Sequence, residues 1–389
     1  MDRIQWKKVK LGELYEVHNG LSKGRQFFGS GYPFLSFSTV FNNWFLPEDL
    51  DSLVQSSDKE RAACSIKKGD VFITRTSETM DELGMSSVAL RDYPNATYNG
   101  FTKRLRPITD KVVPEYIGYY LRSPRFRGKF MAFSTMTTRA SLANGDLLGM
   151  EVELPEKAEQ IRIATILSRY DSLIENYQKQ IKLLEEAAQR LYKEWFVDLR
   201  FPGHENTKIV DCVPEGWKKK KVGDMIAKSQ RTKQVPANEY LKTGSIPIID
   251  QSRNYIAGYT NDYECLVNVT TPYIVFGDHT RVLKYIPFSF AKGADGTQLI
   301  MSNDLDRMPQ SLLYNSLINI DLSNYSYARH FKYLKEEEIS VPISDVSMKY
   351  DELVSKFYQS IQNNREQIRL LTEARDRLLP KLMSGEIAV

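Results

Sequence analysis

Several short runs concentrate the side chains that can hydrogen-bond a polyanion or the edges of stacked bases. Early in the chain these are Ser22-Lys23-Gly24-Arg25-Gln26, just after His18-Asn19-Gly20, then Thr74-Arg75-Thr76-Ser77, then Thr135-Met136-Thr137-Thr138-Arg139. Later come Lys228-Ser229-Gln230-Arg231-Thr232-Lys233, Asp278-His279-Thr280-Arg281, Lys292, and Tyr325-Ser326-Tyr327-Ala328-Arg329-His330. Arg suits guanine edges, Asn or Gln suits adenine, and Lys, Arg, Ser and Thr hold phosphates. The candidate contacts to duplex DNA are therefore Lys23, Arg25, Arg75, Thr76, Ser77, Thr138, Arg139, Gln230, Arg231, Lys233, His279, Thr280, Arg281, Lys292, Arg329 and His330. Any one of these cations is equally well explained as a solvated surface charge, so the case rests on the clusters. Lys218 to Lys221 reads most simply as a solvated edge that grazes phosphates, and Trp6 and Trp217 as core anchors.

The residue pattern offers recognition rather than reaction. There is no Asn-Pro-Pro-Tyr or Asp-Pro-Pro-Tyr run for amino-methyl transfer, no Gly-x-Gly-x-x-Gly turn and no Gly-Lys-Ser/Thr phosphate loop. His18, His204, His279 and His330 are scattered without the paired spacing of a metal site, and Cys64, Cys212 and Cys265 read as reduced thiols. No catalytic residue and no metal site are expected.

The elements that must position these loops come in two copies. Trp6 and Gly12 return as Trp217 and Gly223, each 211 residues on, while Leu154-Pro155, Ile174 and Gln180-Ile181 return as Val341-Pro342, Ile361 and Gln367-Ile368, each 187 residues on. The order is variable unit, helical unit, variable unit, helical unit. Two copies are too few for a solenoid, whose core needs several stacked repeats. A tandem pair instead suggests a pseudo-twofold molecule offering two similar surfaces to a ligand with two similar sites, as duplex DNA has.

Each variable unit alternates strand-like runs, such as Pro33-Phe34-Leu35-Ser36-Phe37, Asp70-Val71-Phe72-Ile73-Thr74 and Tyr273-Ile274-Val275-Phe276, with turn clusters. Each carries one helical stretch, at Glu115 to Leu121 and behind Pro309, and the first closes on the alternating strand Met150 to Leu154. The fold class is α+β. Between Lys157 and Val197 there is no Pro or Gly, and Tyr170, Ile174, Tyr177, Ile181, Leu184, Ala188, Leu191 and Trp195 keep the four-three beat of a coiled-coil seam. Ile361, Asn364, Ile368, Leu371, Arg375, Leu378 and Leu382 keep the same beat, and polar Asn364 and Arg375 are expected to fix register and partner. The seams predict that the two helices pack antiparallel and hold the variable units apart. A helix of about 35 to 40 residues is roughly 50 to 60 Å long, comparable with one to two turns of B-DNA. Domains are predicted at 1–154, 155–200, 201–342 and 343–389.

Composition is that of a soluble globular protein, with 42% hydrophobic and 26% charged residues over 389. The net charge of +4 permits an anionic partner without requiring one. No run reaches the roughly 20 apolar residues of a bilayer span and no secretory signal opens the chain, so a cytoplasmic protein without a membrane partner is expected.

Across its whole length the chain resembles the specificity subunit of type I restriction-modification enzymes. The resemblance is carried by Leu154-Pro155 with Ala158 to Leu167, by Leu191-Tyr192-Lys193-Glu194-Trp195-Phe196-Val197-Asp198, by Phe276 to Tyr285, by Gly293-Ala294-Asp295-Gly296, and by Leu378 to Ile387. It implies two target recognition domains, each reading one half of a split DNA site, with two helical regions that set the gap and dock two methyltransferase subunits. Restriction and translocase subunits join through the complex, and S-adenosylmethionine, ATP and Mg²⁺ are used by those partners. The outward helix faces, including Glu159, Arg162 and Arg169, are the expected docking surface, although structural salt bridges would explain them equally. The second copy departs from the pattern, with Val346-Ser347-Met348-Lys349-Tyr350 where the first has Glu159-Gln160-Ile161-Arg162-Ile163, which implies a looser contact there. Two other readings compete: a coiled-coil scaffold without nucleic-acid function, which would show no salt-dependent DNA binding, and a self-contained DNA-modifying enzyme, which would transfer methyl groups alone.

Overall fold

A computed structural model describes residues 6–77, 82–133, 140–141, 143–228, 232–293, 295–325 and 329–389. Thr138, Arg139, Gln230 and Arg231 lie outside the described residues. The fold is α+β and divides into two compact units, Met1–Glu175 with Arg369–Val389, and Asn176–Ile368. No helix among the described residues is long and apolar enough to cross a membrane.

In the first unit a four-stranded antiparallel sheet runs in the order Tyr15–Asn19, Thr102–Pro107, Val71–Thr74, Ser86–Val88. A smaller sheet has Phe28–Leu35 between Leu53–Val54 and Thr97–Tyr98. The helix Pro114–Arg122 starts on a proline, whose missing N–H costs nothing at that position. Its Tyr116, Tyr119, Tyr120 and Leu121 are fully buried, in one core with Ile163 and Leu167 of the first long helix, Lys157–Tyr192, and with Leu379 and Leu382 of the second, Ser344–Met383. Buried Gln160 ties the start of the first long helix down. Its Oε1 accepts from Val113 N, which no side chain of its own helix caps, and its Nε2 donates to the carbonyls of Lys111 and Pro155, all at 2.9 Å.

The second unit has a four-stranded sheet, Gly258–Thr260, Ile246–Ile249, Phe290–Lys292, Leu266–Val267, and a three-stranded one with Tyr273–Gly277 between Leu283–Ile286 and Thr297–Ile300. Its core joins Leu312, Leu313 and Leu317 of the helix Gln310–Ile318 to Ala188 and Tyr192 and to Tyr350, Val354, Tyr358 and Ile361. The first long helix ends in a π-helical turn, Lys193–Val197, a wider winding in which adjacent Trp195 and Phe196 are both buried. Leu199, at φ +57°, then takes the left-handed conformation that turns the chain away.

The seam residues meet partners in each unit. In the second unit, Asn364 Nδ2 donates to Gln180 Oε1 at 3.2 Å, Arg365 pairs with Glu185 at 3.0 Å, and Tyr350 Oη reaches Ala188 O at 3.4 Å, so the helices run antiparallel there. In the first unit, Arg375 pairs with Asp171 at 2.6 Å and Arg162 Nε donates to Val389 O at 2.6 Å, again antiparallel. Asn364 and Arg375 thus each find a polar partner across the seam, where a hydrophobic neighbour would leave a buried group unpaired.

The internal repeat is visible in the backbone of each unit. Lys7–Lys10 pairs antiparallel with Glu151–Leu154, placing Val9 opposite Val152, and Lys218–Lys221 pairs with Glu338–Val341, placing Lys220 opposite Ile339. These are the same positions under the shifts of the opening and closing segments. Leu11 N donates to Met150 O at 2.9 Å in one unit, and Val222 N to Glu337 O at 2.8 Å in the other. The repeated glycines have the same cause. A Cβ on Gly12 would stand 3.2 Å from Leu148 O, and one on Gly223 would stand 3.1 Å from Lys335 O, so the same tight backbone approach disfavours a side chain at both.

Candidate nucleic-acid interface

In the first unit two of the sequence runs converge on one loop cluster. Leu21 N donates to Tyr98 O at 2.8 Å, Gly100 N to Leu21 O at 2.9 Å, and Arg75 N to Phe101 O at 3.0 Å. These bonds bring the Ser22–Gln26 run and the Thr74–Ser77 run together around Asn99 to Phe101. Thr76 and Ser77 form a short strand against Ala140–Ser141, while residues 135–139, the third run, lie outside the described residues. Thr74 Oγ1, donating to Glu82 O at 2.6 Å and accepting from Met85 N at 2.9 Å, closes the base of the cluster.

Within that cluster the candidate side chains differ in availability. Arg25 is exposed at the start of a 3₁₀ turn, beside half-exposed Phe27 and Phe28. Lys23 is a tie: its ammonium lies 2.8 Å from Glu60, donates to Gln55 O at 2.7 Å and sits over the Phe27 ring. Lys23 and the Ser57 backbone N–H hold the Glu60 carboxyl down to about 2. Arg75 is half-buried, and the neighbouring cation is Lys103, absent from the sequence candidates.

The second unit builds a comparable cluster at the end of Tyr273–Gly277. Gly277 N donates to Val282 O and Arg281 N to Gly277 O, both at 2.8 Å, with Arg281 at φ +61°, a value uncommon outside glycine. Gln251 is the hub. Its Oε1 accepts from His279 N at 3.2 Å, its O accepts from Thr280 Oγ1 at 2.6 Å, and its Nε2 donates to Asp295 O at 2.9 Å. Asp278 fastens the cluster to the helix His330–Glu336, its Oδ1 accepting from Phe331 N at 2.8 Å. The structure therefore brings His279, Thr280, Arg281, Arg329 and His330 into one cluster. Lys292, in the neighbouring sheet, lies where Val235 N donates to its carbonyl at 3.0 Å, which also brings the stretch after Lys233 alongside.

Several candidates here have structural work. His330 is 4% exposed, with Nδ1 2.9 Å from Asp278 O and Nε2 3.2 Å from Tyr325 O, so it supports the loop from inside. Lys233 is held by Asp262 and Glu264, both at 2.8 Å, which offset its charge. Arg281 is exposed but lends one terminal nitrogen to Leu322 O at 3.0 Å. His279, Thr280 and Arg329 are exposed. Sequence reasoning missed Gln251 and Lys103. Gln251 stands in an ordinary polar turn and gives no signal, while Lys103 lies within the strand Thr102–Pro107 and outside every loop run that the sequence marks. Among the described residues no cluster of three or more His, Cys, Asp and Glu side chains could hold a metal ion.

Of the docking candidates, Arg169 is exposed and Glu159 half-buried, whereas Arg162 is engaged by the Val389 carbonyl. Ile161, on the same helix, leaves half its surface open, and Met348, its counterpart 187 residues on, does the same.

Residues 3–186 match the family model described as the type I restriction modification DNA specificity domain. The chain is 26% identical over 418 residues to the Type I restriction enzyme MjaIX specificity subunit of Methanocaldococcus jannaschii, covering 99% of this chain and 94% of that protein. It is 27% identical over 198 residues to the Type I restriction enzyme HindI specificity subunit of Haemophilus influenzae, covering 50% of this chain and 41% of that one. Among solved structures, the S subunit of a type I restriction-modification system from M. genitalium superposes with a TM-score of 0.60 over 98% of this chain and 97% of that one, at 16% identity. That last likeness is one of fold.

Proposed function

We propose that this chain, which belongs to the family of type I restriction-modification specificity subunits, is the DNA-reading component of its complex, each unit reading one half of a bipartite site. The observation that carries this is the doubled frame: the same strand pairing and the same glycine contact recur in each unit, and each unit crowns that frame with its own loop cluster. A conserved frame with divergent loops is what two readers of different half-sites require. Exposed Arg25, His279, Thr280 and Arg329 are the groups best placed to meet DNA, with Lys23, Lys233, Gln251 and His330 holding the loops that present them.

In this reading the chain performs no chemistry. S-adenosylmethionine, ATP and Mg²⁺ belong to two methyltransferase subunits and to restriction and translocase subunits, and the methyltransferases dock on the outward faces of the long helices around Glu159, Ile161 and Arg169. The protein works in the cytoplasm. The test is methyl transfer to duplex DNA. The isolated chain is expected to transfer none, and the complex with modification subunits is expected to methylate one split motif. Robust transfer by the chain alone would refute the reading.

A further inference from the structure

The duplicated frame treats one of its own positions differently in the two units. Tyr119 and Tyr314 each lie five residues beyond the proline that opens their helix, Pro114 and Pro309. In the first unit the Tyr119 hydroxyl donates to Asp171, whose carboxylate also holds Arg375, and Trp44 and Phe45 pack on the Tyr119 ring at 5.6 and 5.1 Å. Asp171 returns 187 residues on as Tyr358, which offers Tyr314 a ring at 5.5 Å instead of a carboxylate. Among the described residues the Tyr314 hydroxyl therefore has no hydrogen-bond partner. Unlike the sealed indole nitrogen of Trp217, it keeps contact with solvent.

Tyr314 lines a cavity of about 350 Å³ that lies wholly within the second unit. Tyr255, Tyr285 and Tyr358 line it too, the last two stacked at 4.4 Å. Three cations face the cavity, and the protein answers two of them. Arg365 pairs with Glu185 at 3.0 Å and covers the Tyr255 ring, while Lys284 donates to Asp250 O at 2.8 Å with the Asp250 carboxylate 3.8 Å away. Arg253 is exposed and, among the described residues, has no ion-pair partner. A cavity of this size suits a small organic ligand, and its walls state which kind. Aromatic side chains take a planar ring, an unpaired phenol hydroxyl takes an acceptor on that ring, and a guanidinium at the rim takes an anion.

We propose that this cavity binds a nucleoside monophosphate, with the base against Tyr285 and Tyr314, a ring nitrogen or carbonyl accepting from the Tyr314 hydroxyl, and the phosphate on Arg253. Two sources carry that chemistry, a free nucleotide and an unpaired nucleotide of a DNA strand. The site is independent of the DNA-reading function proposed above, because none of its groups belongs to the loop clusters assigned to that role.

The test is equilibrium dialysis of the full chain against labelled AMP and, in parallel, labelled CMP, with adenosine, inorganic phosphate and a short single-stranded oligodeoxynucleotide as competitors. One nucleotide per chain is expected. Adenosine and phosphate should each compete about tenfold more weakly than AMP, since each meets only part of the wall. Displacement by the oligonucleotide extends the site to a DNA strand, and failure to displace confines it to free nucleotide. Tyr314→Phe should weaken AMP about fivefold, the worth of one neutral hydrogen bond, and leave the thermal midpoint unchanged because the hydroxyl has no partner in the protein. Arg253→Gln should weaken AMP about tenfold and leave adenosine as it was. Tyr119→Phe, the same position in the first unit, should lower the midpoint and leave AMP binding unaltered. Absence of binding by both nucleotides overturns the proposal. So does binding that Tyr314→Phe and Arg253→Gln both leave unchanged, and so does a lowered midpoint in Tyr314→Phe without loss of AMP, which would make that hydroxyl purely structural.

Discussion

Replacing Gly20 by Ala should open the first loop cluster from within. A Cβ at that position would stand 2.2 Å from Asn99 O and 2.7 Å from the Tyr98 ring. Neither neighbour can yield: Tyr98 is fully buried, its hydroxyl donating to Asn19 O at 3.0 Å, and the Asn99 carbonyl is backbone. The strand end must therefore part from the Tyr98–Gly100 segment, losing the bonds from Leu21 N to Tyr98 O and from Gly100 N to Leu21 O. At about 1 kcal/mol net for each bond, the closed arrangement loses about 2 kcal/mol, roughly a thirty-fold shift in its equilibrium. Hydrogen exchange reads this directly, because amides report the local opening that exposes them. The Leu21 and Gly100 amides should lose about thirty-fold in protection while the Leu11 amide, bonded to Met150 O in the repeated frame, keeps its own. Unchanged protection at Leu21 and Gly100 would refute the claim that this close approach shapes the cluster.

Asp171→Ala should destabilise the first unit by about 1 to 3 kcal/mol, since it leaves the buried Tyr119 hydroxyl unpartnered and strips Arg375 of one of its two carboxylates, Asp376 remaining at 2.9 Å; the denaturation midpoint of that unit is the measurement. Glu60, held down to about 2 by Lys23, keeps its tie above its unfolded value of about 4.3 and loses it as pH falls toward 2; carboxyl NMR should show this, and Lys23→Met should move the titration upward. Burial pulls Lys284 down to about 8, so the unfolded chain binds more protons between there and about 10.4, and stability of the second unit should rise with pH across that window when followed by denaturant melts. Arg169→Glu should weaken co-purification with the modification subunits while leaving the thermal midpoint unchanged.

The frame was legible in the letters because its causes are local and periodic. The seam from Tyr170 to Trp195 follows helix geometry, and the helices behind Pro114 and Pro309 follow from proline's fixed φ. The recurrence of Gly12 as Gly223 was visible in the letters, but its reason, the close approach of the Leu148 and Lys335 carbonyls, was not. The role of each loop cation was not legible, because it depends on partners that the fold brings from elsewhere. Lys23 and Lys233 resemble Arg25 in sequence, yet carboxylates on other segments take the first two and leave Arg25 free to face solvent. His330 looked like a surface donor beside Arg329, but the turn of its helix buries it against two carbonyls. Lys103 was hidden for the opposite reason: a lysine on a strand normally reaches water, and only the packing above it prevents that.

The most direct measurement maps the methylated adenines left by the assembled complex, with the chain unaltered and with the exposed Arg25→Ala and Arg329→Ala variants. Two readers on one duplicated frame predict a motif split by an unread gap, with Arg25→Ala relaxing one part and Arg329→Ala only the other. A single contiguous motif, or variants that each damage both parts equally, would contradict the account.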